Sequence, residues 1–92
     1  MLSKKQLNAI SSEVAHLLKE EREKQGLSLN VTAQKAGLAR PTIGFIEQEI
    51  QSPSLDTLLQ ITNVFGVDLE KIIAKARKRI VKNAKKEKAL RR

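Results

Sequence analysis

Residues 28–59 read S-L-N-V-T-A-Q-K-A-G-L-A-R-P-T-I-G-F-I-E-Q-E-I-Q-S-P-S-L-D-T-L-L, and the reading of this stretch decides the fold. Ser28 is a good N-cap for a short helix over residues 29–36, because its hydroxyl can accept an amide of the first turn. Gly37 closes that helix, since a glycine adopts the left-handed backbone of a helix end without steric cost. Leu38 and Ala39 complete a tight turn, and Pro41 suits the start of a second helix running to about Glu49. Proline also drives the residue before it away from α geometry, so Arg40 is expected at the N-cap. Ala33 is small enough for the two helices to cross closely, and Leu38, Ile43 and Ile46 would pin the second against the first. Such a pair holds one helix out from the body of the protein, in a position to enter a major groove.

Working outward, the apolar residues Leu7, Ile10, Val14, Leu17 and Leu18 recur at helical spacing. They predict a first helix from about Lys5 to Gln25, stopped by Gly26. Downstream, Pro53-Ser54 marks a turn. Ser54 caps a helix carrying Leu55, Leu58, Leu59, Ile61 and Phe65, and Gly66 ends it. Asp68 caps a fifth helix, in which Leu69, Ile72, Ile73, Ala76 and Ile80 fall at helical intervals. Beyond Ile80 the apolar positions thin, and a fraying helix or disordered arm is expected. The fold class is therefore all-α and five-helical, with a domain over residues 1–75 and a basic C-terminal tail over residues 76–92 that is a helical or disordered extension.

The chain has 92 residues, room for one domain with one small core. Its apolar mass is Leu, Ile, Val and Ala, with Phe45 and Phe65 as the only aromatics, and this favours helix packing over sheets. There is no cysteine, so neither a disulfide nor a thiolate metal site can form. No apolar run approaches membrane-spanning length, and a cytoplasmic protein without a membrane partner is the expectation. The net charge is +8, but its distribution is uneven. From Lys71 onward there are eleven basic residues against one acid, Glu87, whereas the first 70 residues hold seven bases and nine acids. Basicity thus belongs to the tail. Three uses are open to it: a solvated arm, an arm gripping phosphates, or attachment to a membrane surface, the last disfavoured by the lack of an aromatic face.

The spacing Ala33, Gly37, Leu38, Ile43, Ile46-Glu47, then Pro53-Ser54-Leu55-Asp56-Thr57-Leu58, resembles the Cro/cI-type (XRE-like) helix-turn-helix family. The resemblance spans about residues 17–73, including F-G-V-D-L-E-K-I-I. It implies a lambda-repressor-like DNA-binding domain acting as a homodimer on double-stranded DNA, as a transcriptional regulator, with repression the expected mode. Carried over by position, it makes the third helix the recognition helix, with Arg40, Pro41, Thr42, Gly44 and Phe45 nearest the bases. Arg40 can pair with two acceptors on guanine, Thr42 can bond a phosphate or base edge, and Phe45 can touch a thymine methyl. Ser28, Lys35 and Ser54 would lie near phosphates, the two serines at positive helix ends. The dimer contact is expected at exposed apolar positions Ile72, Ala76 and Ile80. The chain departs from the family at Leu29, where relatives often carry a phosphate-holding glutamine, at Ala39 and Gly44, where they are often polar, and at Glu49, commonly glycine.

Nothing in the sequence assembles a catalytic set. His16 is the only histidine and is expected to face solvent, so neither a metal site nor a Ser/His/acid constellation can be built around it. Glu20 and Glu21 sit among Lys19, Arg22 and Lys24 as a salt-bridged helix surface. Glu47 is expected to make a structural hydrogen bond or ion pair. A non-enzymatic protein without cofactor is the expectation. Two rival uses of the same fold remain. In one, an antitoxin clasps a toxin through its tail or through Met1 to Ala9. In the other, the helix pair serves protein contacts, with DNA readout weakened by Leu29, Gly44 and Glu49.

Overall fold

A glycine with no choice of backbone sets the geometry of the central helix pair. In the computed structural model, which describes residues 1–90 and side chains through Lys82, Gly37 has φ 73° and ψ 31°. Its amide donates to the Gln34 carbonyl at 3.3 Å, and the Leu38 amide reaches back to the Ala33 carbonyl at 2.9 Å. This paired closure satisfies the last carbonyls of the helix and sends Leu38 down onto the core. The elements are α1 (Lys4–Lys24), α2 (Leu29–Ala36), α3 (Arg40–Glu47), α4 (Leu55–Phe65) and α5 (Leu69–Leu90), with no strand among the described residues.

The expected helix N-caps at Ser28 and Ser54 are present. Each hydroxyl accepts the amide of the third residue of its helix, from Val31 at 3.0 Å and Thr57 at 3.1 Å. The core forms where apolar stripes of all five helices converge: Leu17 and Leu18 from α1, Ala33 from α2, Ile43 and Ile46 from α3, Ile61 and Phe65 from α4, Ile72 and Ala76 from α5. Ala33 is almost wholly buried at the α2–α3 crossing, the place where a larger side chain would hold the helices apart. Beside it Thr32 is fully enclosed, and its hydroxyl donates to the Ser28 carbonyl at 2.8 Å.

Three expectations change. Helix α3 begins one residue early: Arg40 is its first residue and Ala39 the N-cap, with no side-chain cap. Proline lacks only an amide that the first turn leaves unpaired anyway, so it is as well placed second as first. At its other end, α3 stops at Glu47 instead of Glu49. The Ile50 amide reaches the Phe45 carbonyl at 2.8 Å and Glu49 takes φ 61°. This is the closure seen at Gly37, with a glutamate in the glycine's place. Third, Ile72 and Ala76 are not exposed. They are buried in this chain's own core, because α1 is long enough to lie along α5 and cover its apolar face, leaving Ile80 half-buried. Of the two forms expected for the C-terminal extension, helical or disordered, the helical one is seen, with α5 continuous from Leu69 to Leu90. Within it, Ala76 is fully buried and Arg79 donates to Glu13 at 2.7 Å and to Glu20 at 3.4 Å. The expectation for Arg91 and Arg92 lies outside the described residues.

Glu47 makes the ion pair expected of it, and the partner is Arg22, which the sequence reading left on a charged surface. The guanidinium donates twice to the carboxylate, at 2.7 and 2.9 Å, and once to the Leu27 carbonyl at 2.8 Å. Both side chains are largely buried. The Glu47 hydrogen bond raises the Arg22 pKa above its ordinary value, against the opposing effect of burial. A group held up in this way contributes stability that is complete below the ordinary arginine range and is lost only above it, so its share is flat through neutral pH. Glu47→Ala strands the guanidinium and is expected to cost about 2–4 kcal/mol in urea unfolding. Arg22→Ala leaves both Glu47 and the Leu27 carbonyl unpaired, and should cost more. The reverse ranking would contradict this geometry.

Candidate nucleic-acid interface

Helix α3 has one face sealed and one face open. Ile43 and Ile46 point into the core and are almost wholly buried. At 100° per residue, Pro41, Gly44, Phe45 and Gln48 then share the opposite side, with Arg40 at its edge. The exposures agree: Arg40, Pro41 and Gln48 are exposed, Phe45 is 42 % exposed, and Thr42 and Gly44 are half-buried. A Cβ at Gly44 would meet nothing within 4 Å, so its glycine is not required by packing. It leaves the middle of the open face bare. Gln48 was not among the residues singled out from the sequence. Its signal was there, because it continues the spacing 41, 44, 45, 48 that marks a single helix face.

The start of α2 flanks this face as the other half of the helix pair. Ser28 uses its hydroxyl on the Val31 amide, and among the described residues the Leu29 and Asn30 amides have no acceptor. No acid occupies the first turn of α2, so its positive end is uncompensated. The first turn of α4, behind Ser54, carries Asp56, which weakens that end as an anion site. Lys35 lies exposed in the last turn of α2 beside the exposed Gln34. The side-chain amide of Gln60 on α4 donates to the Ala36 carbonyl at 3.1 Å, and so fixes the α2 end from below.

The electrostatics of the helix pair are weak. Between residues 28 and 59 the basic side chains are Lys35 and Arg40, against the acids Glu47, Glu49 and Asp56. Glu47 is consumed by Arg22. The Glu49 carboxylate lies 3.5 Å from His16 Nε2, and His16 Nδ1 is 3.8 Å from Glu13. His16 is thus an exposed side chain set between two carboxylates on different elements. Among the described residues no group of His, Cys, Asp and Glu could hold a metal, and no helix is long and apolar enough to cross a membrane.

The family model described as helix-turn-helix matches residues 18–72, from the buried end of α1 to the first turn of α5. A Methanosarcina acetivorans protein named as an HTH-type transcriptional regulatory protein is 40 % identical over 57 residues, 62 % of this chain and 17 % of its own length. The HTH-type transcriptional regulator PuuR of Escherichia coli is 36 % identical over 61 residues, covering 66 % of this chain and 33 % of PuuR. The HTH-type transcriptional regulator ImmR of Bacillus subtilis is 29 % identical over 58 residues, 63 % of this chain and 46 % of ImmR. The chain thus spans less than half the length of each of these relatives. No solved structure matches.

The left-handed Glu49 carries a cost that a glycine would not. A side chain in that conformation loses about 1–2 kcal/mol, part of which glycine returns through its freer unfolded chain. Glu49→Gly is expected to raise stability by a net of about 0.5–1 kcal/mol in urea unfolding, even though the contact with His16 is lost. A destabilised variant would mean that the His16 contact outweighs the strain.

Proposed function

The chain belongs to the helix-turn-helix family, of the Cro/cI (XRE-like) type, and on that footing we propose that it is a DNA-binding transcriptional regulator. In this reading it works in the cytoplasm as a homodimeric repressor on a short palindromic operator and catalyses no reaction. The observation that supports it is the open face of α3, held away from the core by Ile43 and Ile46 beside the uncompensated positive end of α2. The α2 end meets a phosphate through the Leu29 and Asn30 amides next to Ser28, with Lys35 at a second. The weaker α4 end at Ser54 meets a third. Arg40 reads guanine, Gln48 can bond adenine through its amide, Thr42 meets a backbone or base edge, and Phe45 covers a thymine methyl. Pro41 and Gly44 have no donor to offer and let the helix approach closely.

Two copies would set half-sites roughly 34–36 Å apart, one helical turn of DNA. With Ile72 and Ala76 committed to the core, the dimer contact falls to apolar side chains still exposed, Leu55 and Leu59 on α4 and Val81 next to the half-buried Ile80 on α5. Leu55→Glu with Leu59→Glu should halve the mass seen by light scattering. An unchanged mass removes α4 from the interface.

Selection of bound duplexes from a random library tests the reading directly. The intact chain should enrich a palindrome and Arg40→Ala should lose the guanine at one position of each half-site, a penalty of about 1–3 kcal/mol per contact. If no sequence is enriched, the reading fails. The bare middle of α3 and its acidic surroundings would then favour a protein-interaction module on the same fold.

A further inference from the structure

The described basic residues of helix α5 divide by position: Arg79 packs on α1, and Arg77 is exposed together with the lysines. Arg79 turns inward to α1, where it meets Glu13 at 2.7 Å and Glu20 at 3.4 Å. Lys71, Lys75, Lys78 and Lys82 are all exposed and recur at intervals of four, three and four residues. At 100° per residue they fall within a sector of roughly 60°, on the side of the helix opposite Ile72, Ala76 and Ile80. Only Lys71 has an acidic partner among the described residues, Asp68 at 3.5 Å, and both of those side chains are more than half exposed. From residue 71 to 82 there are six basic side chains and no acid, whereas the helix pair around α3 has more acids than bases. Among the described residues the densest run of exposed basic side chains is therefore on α5 and not on the helix pair around α3. Helix α1 packs against both, while α3 and α5 share no extensive packing face.

We propose that the Lys71–Lys75–Lys78–Lys82 stripe is a second, sequence-independent contact for the phosphate backbone of duplex DNA, separate from the α3 face. The four ammonium groups are strung along about 16 Å of helix, next to a polymer that carries one charge per about 1.7 Å of its axis. Lysine suits that partner: a point charge on a flexible stem follows a row of phosphates without demanding one register. A bilayer is a poorer partner, because the apolar side of α5 that would enter it is already buried against α1. A protein partner is poorer too, since lysine is depleted from protein interfaces and the stripe carries no aromatic anchor. The inference does not depend on the α3 reading. The stripe would hold DNA of any sequence even if α3 recognised none.

The test is the salt dependence of binding to a random-sequence 30-bp duplex, by fluorescence anisotropy on the full chain. Each neutralised phosphate contributes about 0.9 to the slope of log affinity against log salt. The fourfold variant K71Q/K75Q/K78Q/K82Q should lose about 3–4 units of slope and weaken on all sequences equally, whereas Arg40→Ala should lose no more than about 1. These side chains are exposed, so the cooperative thermal melt should survive. If it does not, the single variants K75Q, K78Q and K82Q each carry the prediction, at about 0.9 apiece. A slope unchanged by the substitutions overturns the proposal. So does a stripe whose loss leaves duplex binding intact while abolishing attachment to phosphatidylglycerol vesicles.

Discussion

The guanidinium of Arg22 is the main polar tie between α1 and the helix pair, beside the apolar packing of Ala33, Ile43 and Ile46. It comes from the last turn of α1, holds the Leu27 carbonyl just before α2, and grips both oxygens of Glu47 in the last turn of α3. The end of α1, the lead-in to α2 and the end of α3 are aligned by one planar, five-donor group. A lysine in its place could satisfy at most part of this set, because the fork geometry matches a carboxylate and leaves a donor for the carbonyl. The apolar contacts of Ile43 and Ile46 press α3 against the core, but dispersion is non-directional and does not by itself set the rotation of a helix about its axis. The bidentate pair adds a directional constraint to the burial of Ile43 and Ile46, and together they leave the opposite side of α3 open.

The ends of the chain add a second layer to this frame. The family match covers residues 18–72, leaving most of α1 and most of α5 outside it. Those two stretches are used on each other: Arg79 crosses from α5 to Glu13 and Glu20, and Ala76 is sealed beneath α1. The consequence is a division of charge across the molecule. The acids of α1 neutralise the inward arginine of α5, the lysines of α5 are left outward, and the helix pair keeps only Lys35 and Arg40 as free cations among the described residues. The open side of α3 and the exposed lysines of α5 thus belong to different elements.

Much of the fold was legible in the sequence. The punctuation was local: Ser28 and Ser54 as caps and Gly37 and Gly66 as stops act through bonds to residues three to five positions away, so their meaning does not depend on the rest of the chain. Apolar spacing likewise marked Ile43 and Ile46 as inner positions of α3, whereas in α4 it did not separate the buried Ile61 and Phe65 from the exposed Leu55 and Leu59. The outward residues of α3 were indicated by the family resemblance, which does not extend to Gln48 at the C-cap.

Tertiary structure decided what depends on partners distant in sequence. Nothing near Arg22 distinguishes it from its charged neighbours Glu21, Glu23 and Lys24; it is 25 residues from Glu47, and only the packing of α1 on α3 brings them together. Ile72 and Ala76 carry the same apolar stripe whether a second copy or α1 covers them, and the length of α1 settled it in favour of the chain's own core. The left-handed backbone of Glu49 closes α3 with the same hydrogen bonds as Gly37 closes α2, although glutamate has no preference for that conformation. Residue type and spacing therefore determined where helices begin, end and turn their apolar sides, because those are short-range properties of the backbone. Which charges pair, and which apolar surface is left for a partner, was decided by packing, because such choices exist only after the helices have met.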